Sequence, residues 1–434
     1  MAYTFIVPPF QVPDEYMHFA RALNLISGNA RAIKDGPRMG YNIDCRADYF
    51  IRQMPHDGEY KGTGKYRWAD FHRVVEEAKA QRGNCFWEIE PGSMQMHVPY
   101  LYVPQAIGIF LASKVSPSLS MWLYTGRVFN LVFCVWLLSV ALRFMRGSPL
   151  RLIYFMSLPM FLHLAGSLSG DAPAISFALL FFSLVIHALS GEGEPTRGFW
   201  WITALATFFF GVGKSVYFPV VLLLWLIPLQ TKRRADWFRS TAVIGVTLVG
   251  LLLWNFLVRN DFYKTPAFPM DPVAQTQWFL AHPLAGIKAV FMGFIVNAHK
   301  IAVMYFGVFG WLSVVMPLAW YILYFAVGLL ALLLDGGDTD FWRSRWNRPA
   351  FVLVPMGVAV LLSLVMFITF TTVGSSHTNG IQGRHLMPFM PFLAWAFFTR
   401  GRFAAHYGNL AAVAVGCIVV LHIWALFAIF LQFY

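Results

Sequence analysis

LSMWLYTGRVFNLVFCVWLLSVAL, Leu119 to Leu142, is an apolar run of 24 residues. That exceeds the roughly 20 residues a helix needs to cross a bilayer core. Comparable runs recur at Ala242–Val258, Leu312–Leu334, Phe351–Phe370 and Leu410–Phe433. They are continuous, whereas barrel strands would alternate over about ten residues, so helices are the expected spanning element. Composition agrees: of 434 residues 58% are hydrophobic and only 12% charged, about half the charged share of a soluble protein. The chain reads as an all-α polytopic membrane protein.

The net charge of +12, from 33 basic and 21 acidic residues, does not point to nucleic acid, because the basic residues cluster in short loops between apolar runs. The clusters are Arg143, Arg146 and Arg151; Lys232, Arg233, Arg234 and Arg239; Arg343, Arg345 and Arg348; and Arg400 and Arg402. Short basic loops mark the cytoplasmic face and attract anionic lipid heads. With these loops inside, four spans are expected near 150–168, 172–190, 198–212 and 215–230. Single spans follow near 240–258, 312–334, 350–372, 385–400 and 409–433. Residues 259–310 lie outside, as an interfacial helix or a pair of short re-entrant pieces.

The organisation expected is therefore 1–12 as a remnant of a first transmembrane helix, 13–118 as an extracytoplasmic loop, 119–258 as spans, 259–310 as an outer segment and 311–434 as C-terminal spans. Met1–Phe10 is too short to cross a membrane. The loop holds 12 basic and 12 acidic residues between Asp14 and Glu90, and long charged loops cross regardless of that bias. Within it, Tyr16, Phe19, Leu23 and Ile26 recur at helical spacing until Gly28, predicting a surface helix. Pro99–Lys114 predicts a second. Cys45 and Cys85 share the loop and suit a disulfide in an oxidising compartment, whereas Cys134 and Cys417 read as apolar core residues.

This topology, drawn from basic loops alone, gathers the distinctive polar residues on the outer side. They are Asp14, Glu15 and His18 in PPFQVPDEYMHF; His97 in QMHVPY; Asp171 in SLSGDAP; Lys214 and Tyr217; Asp261 and Asp271; and Gln382, Arg384 and His385 in IQGRHLMP. Asp14 and His18 at i, i+4 share a helix face, suited to an acid/base pair or a cation, or Asp14 is simply the helix cap. Asp171 either caps the following span or, facing Asp14, orients an acceptor hydroxyl or ligates a divalent cation. Lys214 either snorkels or meets a phosphate. Arg384 beside Gly383 suits bidentate anion binding, with an interfacial anchor as its other reading. Trp68, Trp87 and Trp311 suit sugar stacking or the interfacial belt. No Walker loop, paired CxxC or GxSxG occurs.

Seven segments, in order, resemble the bacterial membrane family called domain of unknown function 2142. They are PPFQVPDEYMHF (Pro8–Phe19), HVPYLYVPQAI (His97–Ile107), GRVFN (Gly126–Asn130), SLSGD (Ser167–Asp171), GKSVYFP (Gly213–Pro219), FGWLSVVMP (Phe309–Pro317) and IQGRHLMPFMP (Ile381–Pro391). That family is in turn similar to the GT-C superfamily of polyprenol-dependent glycosyltransferases. The resemblance implies a GT-C-like bundle of about 10–11 transmembrane helices in a bacterial cytoplasmic membrane, with its site facing the exterior. It implies Asp14 or Glu15 as a catalytic acid and Asp171 as a second. The reaction implied is sugar transfer from a polyprenyl-phosphate donor to a glycan or lipid acceptor, with inversion. His18, His97, Lys214, Tyr217, Gln382, Arg384 and His385 then become substrate- and phosphate-binding candidates. The competing expectations are a flippase of lipid-linked sugars, which needs ionisable groups in both membrane halves, and a polysaccharide polymerase or ligase.

Overall fold

The computed structural model describes residues 1–55, 64–89, 94–145, 149–190, 195–262, 270–334, 344–398 and 407–434. Arg146, Arg343, Arg400 and Arg402 of the basic clusters lie outside these residues. The described chain is mostly helical. Among the described residues five helices are long and apolar enough to cross a membrane: Leu119–Phe144, Asp171–Leu189, Arg234–Val258, Asn347–Phe370 and Gly408–Phe433. Helices Pro272–Ala281 and Pro283–Val296 form an apolar pair bent by 117°, the geometry of a broken span or a re-entrant loop. Their junction carries Pro283, which supplies no backbone donor and breaks the ladder.

Prolines also explain why fewer long helices form than the expected 10–11. The segment near 150–168 divides into Leu150–Met156 and Pro159–Ala165, with Pro159 opening the second piece. The segment near 215–230 forms an apolar helix over Ser215–Thr231, too short for a long span, in which α and 3₁₀ turns alternate and Pro219 and Pro228 lie inside. Among the described residues the stretch near 385–400 holds the end of the short turn Gly383–Leu386 and helix Met390–Phe397, eight residues long. Helix Leu318–Leu334 begins after Pro317, and a hairpin of β4 (Val308–Phe309) and β5 (Val314–Val315) replaces the start of the expected span.

Helix Asp171–Leu189 is the central element, with 94% of its apolar window covered by protein. Ser176 and Ser183 return their hydroxyls to Ala172 O and Leu179 O, which satisfies them without polar neighbours. Helices Leu119–Phe144 and Arg197–Gly213 pack on either side. The last helix ties back to the first residues, where Tyr3 Oη meets His422 Nδ1 at 3.0 Å.

The loop before residue 119 shares one continuous core with the membrane helices and, by forming a sheet, corrects the all-α expectation. Strands β1 (Ile33–Asp35), β2 (Arg38–Asp44) and β3 (Asn84–Glu88) pair antiparallel in that order, with Tyr41 opposite Trp87 and Ile43 opposite Cys85. Cys45 and Cys85 are disulfide-bonded. Helix Glu15–Ile26 forms where its spacing predicts, and Gly28 follows with φ +86°. It is not a surface helix, however: Tyr16, Phe19, Ala20, Ala22 and Leu23 are all buried. Helix Val103–Val115, strand β2 and helix Cys45–Gln53 pack against it, and helix Trp68–Ala78 packs on Cys45–Gln53 in turn, with Phe10, Phe19, Phe50 and Phe71 in aromatic contact.

The loop is keyed to the membrane helices by one buried ion pair. Arg127, within the apolar run that opened the sequence, donates from Nε and Nη2 to Glu15 Oε1 and Oε2 at 2.8 and 2.6 Å, and both side chains are fully buried. Its Nη1 donates to Thr4 O and Val7 O, and Nη2 also to Pro8 O. Glu15 accepts further from Phe10 N and Leu168 N, at 3.0 and 3.1 Å. Removing one partner of such a pair strands a buried charge. Arg127→Leu is therefore expected to lower folding stability by about 3–5 kcal/mol, read from thermal unfolding of the detergent-solubilised protein. A loss below about 1 kcal/mol, the worth of an exposed pair, would contradict this role.

Candidate functional site

Four elements bring one charged side chain each to a common point. Asp14 ends the PPFQVPD turn, Asp171 begins the central helix, Lys214 follows helix Arg197–Gly213, and Arg384 lies in the short turn Gly383–Leu386. Arg384 Nη2 donates to Asp14 Oδ2 at 3.2 Å, and its Nε lies 3.4 Å from Asp171 Oδ2. Lys214 Nζ pairs with Asp171 Oδ1. Arg384 thus joins two carboxylates from segments 157 residues apart.

Each side chain is aimed by its local backbone. Asp14 occupies the helix N-cap position, but in the left-handed region (φ 62°) rather than the extended conformation usual for a cap. Its side chain therefore makes no capping bond and turns to Arg384. Its Oδ1 has no hydrogen-bond partner among the described residues. Left-handed backbone is costly for a non-glycine residue and persists only where surroundings enforce it. The Glu15–Arg127 pair, one residue on, does so. Asp171 likewise sits at a helix start without capping it. Gly383 packs so closely on the backbone of helix Ala298–Phe306 that any Cβ there would collide with Tyr305 N and Ile301 O.

Asp171, Ile175, Lys214, Tyr217, Arg384 and His385 border a small pocket, with a cavity volume of about 10 Å³. Tyr217 Oη donates to His385 O at 3.0 Å. His385 Nδ1 accepts from Gln382 N at 3.3 Å, so Gln382 and His385 shape the turn that presents Arg384. Nη1 of Arg384 is buried and has no hydrogen-bond partner among the described residues. A guanidinium arm in that condition favours an anionic oxygen.

His18 and His97 flank this cluster and meet at the Tyr102 hydroxyl, 3.1 and 3.4 Å from their Nδ1 atoms. Sequence reading did not single out Tyr102, although it lies within HVPYLY; nor did it single out Arg127, although an arginine inside an apolar run is itself a signal. Glu15 is engaged by Arg127 and does not border the pocket. Asp261 binds Arg31 through two hydrogen bonds and stands apart from the site. Asp271 caps the helix that begins at Pro272. Trp87 is buried against Tyr41 within the loop, and Trp68 stacks on Tyr434. Among the described residues no three His, Cys, Asp or Glu side chains form a cation-binding group.

Burial, above all, pushes the imidazoles down: His18 to about 4, and His97 and His385 to about 3. They are neutral in the native state. Below pH about 6.5 the unfolded chain takes up protons that the native state refuses, so stability falls as pH falls from there to about 4. The slope expected is about 1.4 kcal/mol per pH unit for each histidine. The unfolding temperature should drop steadily between pH 7 and 4.5, and more gently in His18→Gln. A flat profile for the unsubstituted protein would show that the imidazoles are not held neutral.

No curated protein and no solved structure matches the chain. One family model does, over residues 1–393, which takes in every residue of the site. The chain belongs to the family described as predicted membrane protein, domain of unknown function 2142.

Proposed function

We propose that this protein is a membrane glycosyltransferase related to the GT-C superfamily, moving a sugar from a polyprenyl-phosphate donor to a hydroxyl of a cell-envelope glycan or lipid. The observation that carries the reading is the meeting of two carboxylates and two cations in one cluster: Asp171, Lys214 and Arg384 border the pocket, and Asp14 joins them through Arg384. Such a transfer needs a proton acceptor for the incoming hydroxyl and positive charge for the departing phosphate. The acceptor oxygen bonds to the anomeric carbon while the carbon–phosphate-oxygen bond breaks, its electron pair leaving with the phosphate. Asp14, whose Oδ1 is unengaged among the described residues, takes the hydroxyl proton. Lys214 and Arg384 hold the phosphate oxygens. Asp171 keeps both cations aimed at the pocket. A single displacement inverts the anomeric carbon, because no covalent intermediate intervenes.

The site is placed on the exterior of a bacterial cytoplasmic membrane in this reading. Two features support that side. Asp171 opens a helix whose 19 residues span about 28 Å, and Lys232, Arg233 and Arg345 lie with Ala188 near its far end, as expected for a cytoplasmic face. The Cys45–Cys85 disulfide belongs to the loop that supplies Asp14, and disulfides persist in oxidising compartments.

The test is transfer by purified protein in nanodiscs supplied with a polyprenyl-phosphate sugar. Asp14→Asn is expected to lower kcat by about 10²–10⁴, and Arg384→Lys to lower it by about 10²–10³ through loss of the forked donor, measured at a temperature where thermal unfolding shows each variant folded. Transfer retained in Asp14→Asn would remove Asp14 as the base. Passage of the lipid-linked sugar across the bilayer by intact protein, without any transfer, would make it a transporter.

A further inference from the structure

A larger pocket lies at the end of the central helix away from Asp171. Its volume is about 640 Å³, within the range of sites that hold small molecules. Its lining includes Leu229, Lys232, Arg233, Arg345 and Trp346, and among the described residues it holds three cations and no carboxylate. Gln230, also on its wall, ties three membrane helices together there. Its Nε2 donates to the carbonyl of Leu189, the last residue of the central helix, and its Oε1 accepts from Asn347 Nδ2 at 2.7 Å, at the start of helix Asn347–Phe370. The pocket is therefore a feature of how these helices meet, and its position along the membrane axis is set by where they end.

Two of the cations are held by local structure. Lys232 forms the turn between the helix over Ser215–Thr231 and helix Arg234–Val258 in left-handed backbone, φ 56°. That conformation is costly for a lysine and persists only where neighbours fix it. Here Lys232 N donates to Pro228 O at 2.8 Å, and the preceding Thr231 Oγ1 donates to Asp236 Oδ2 at 2.9 Å. The Arg345 guanidinium lies 5.1 Å over the Trp346 ring. Stacking of that kind uses the face of the group and leaves its in-plane donors for an anion. Among the described residues neither Lys232 nor Arg345 pairs with a carboxylate. Beside these cations Leu229 and Trp346 are 38% and 51% exposed. A soluble anion would need the cations alone. A phospholipid, which carries its phosphate directly above apolar chains, matches both the cations and the exposed apolar rim.

We propose that this pocket holds the headgroup of an anionic phospholipid, with Lys232 and Arg345 on the phosphate oxygens and Leu229 and Trp346 against the start of the acyl chains. The site uses no residue of the charged cluster and does not depend on the transferase reading. Glu192, Glu194, Asp335, Asp338 and Asp340 adjoin the lining residues in sequence and lie outside the described residues. Pairing of the cations with those acids is the rival use of the same positive charge, and the two uses differ in what removing the cations does.

The test titrates the detergent-solubilised full chain with phosphatidylglycerol or phosphatidylcholine and counts bound lipid by native mass spectrometry. The unsubstituted protein is expected to retain phosphatidylglycerol more tightly than phosphatidylcholine. Lys232→Gln and Arg345→Gln should each weaken that binding about fivefold, and the pair together about thirtyfold, from the usual contribution of one cation at a lipid surface; the single variants carry the result even where the double variant does not fold. The comparison is Arg234→Gln with Arg348→Gln, which removes equal charge at the same end of the helices from residues that do not line the pocket, and should leave the affinity nearly unchanged. Equal weakening by the two pairs would reduce the site to diffuse attraction and overturn the proposal. So would equal retention of phosphatidylcholine, or displacement of the lipid by inorganic phosphate, which would make the ligand a soluble anion. A lower unfolding temperature in Lys232→Gln with Arg345→Gln, without any change in lipid affinity, would overturn it in favour of ion pairs within the chain.

Discussion

An arginine in the middle of an apolar helix is expensive unless its whole donor set is met. Arg127 meets it with the Glu15 carboxylate and three backbone carbonyls of the first eight residues. Glu15 in turn accepts from Phe10 N and Leu168 N. One pair thereby joins the N-terminal turn, the helix Leu119–Phe144 and the segment that leads into Asp171. The site's two carboxylates are positioned from opposite sides of this knot, since Asp14 directly precedes Glu15 and Asp171 lies three residues beyond Leu168.

The consequence for Asp14 is conformational. Residues 8–15 are drawn inward by Arg127, and Phe10 and Asp14 both adopt left-handed backbone. An aspartate at a helix start would ordinarily bond the first amides. This one is turned away and reaches Arg384 instead. The strain at Asp14 and the buried pair at Glu15 are two parts of one arrangement: the second holds what the first would otherwise relax. Adjacent acidic residues thus have unlike roles, one structural and closed, the other partly exposed and chemically available.

The cluster has a balance of two anions and two cations, which lets charged groups sit in a poorly solvated pocket without a ligand. Any anion entering there must compete with Asp14 and Asp171 for Arg384 and Lys214. The buried Nη1 of Arg384 is the donor that such competition leaves unused. Three neutral imidazoles surround the charges and add no further positive field at neutral pH.

Much of this was legible in the chain itself, for particular reasons. Apolar length marked Leu119–Phe144, Arg234–Val258 and the C-terminal helix, because hydrophobic length depends only on composition along the chain. Helical spacing marked Glu15–Ile26, and short polar motifs marked Asp14, Asp171, Lys214 and Arg384. Other features were not legible. The proline-broken segment near 150–168 keeps the hydropathy of a span while losing the continuous ladder. The sheet of β1 to β3 draws on strands some forty residues apart. Which of Asp14 and Glu15 meets Arg384 depends on Arg127, more than a hundred residues away, and the contacts of Tyr102 depend on two histidines brought together from separate elements. Sequence alone determined a helical membrane protein and a set of polar residues marked for chemistry. Only the tertiary structure decided which of those residues meet, because ion pairs and shared hydrogen bonds are set by distance in space, and local pattern carries no information about that distance.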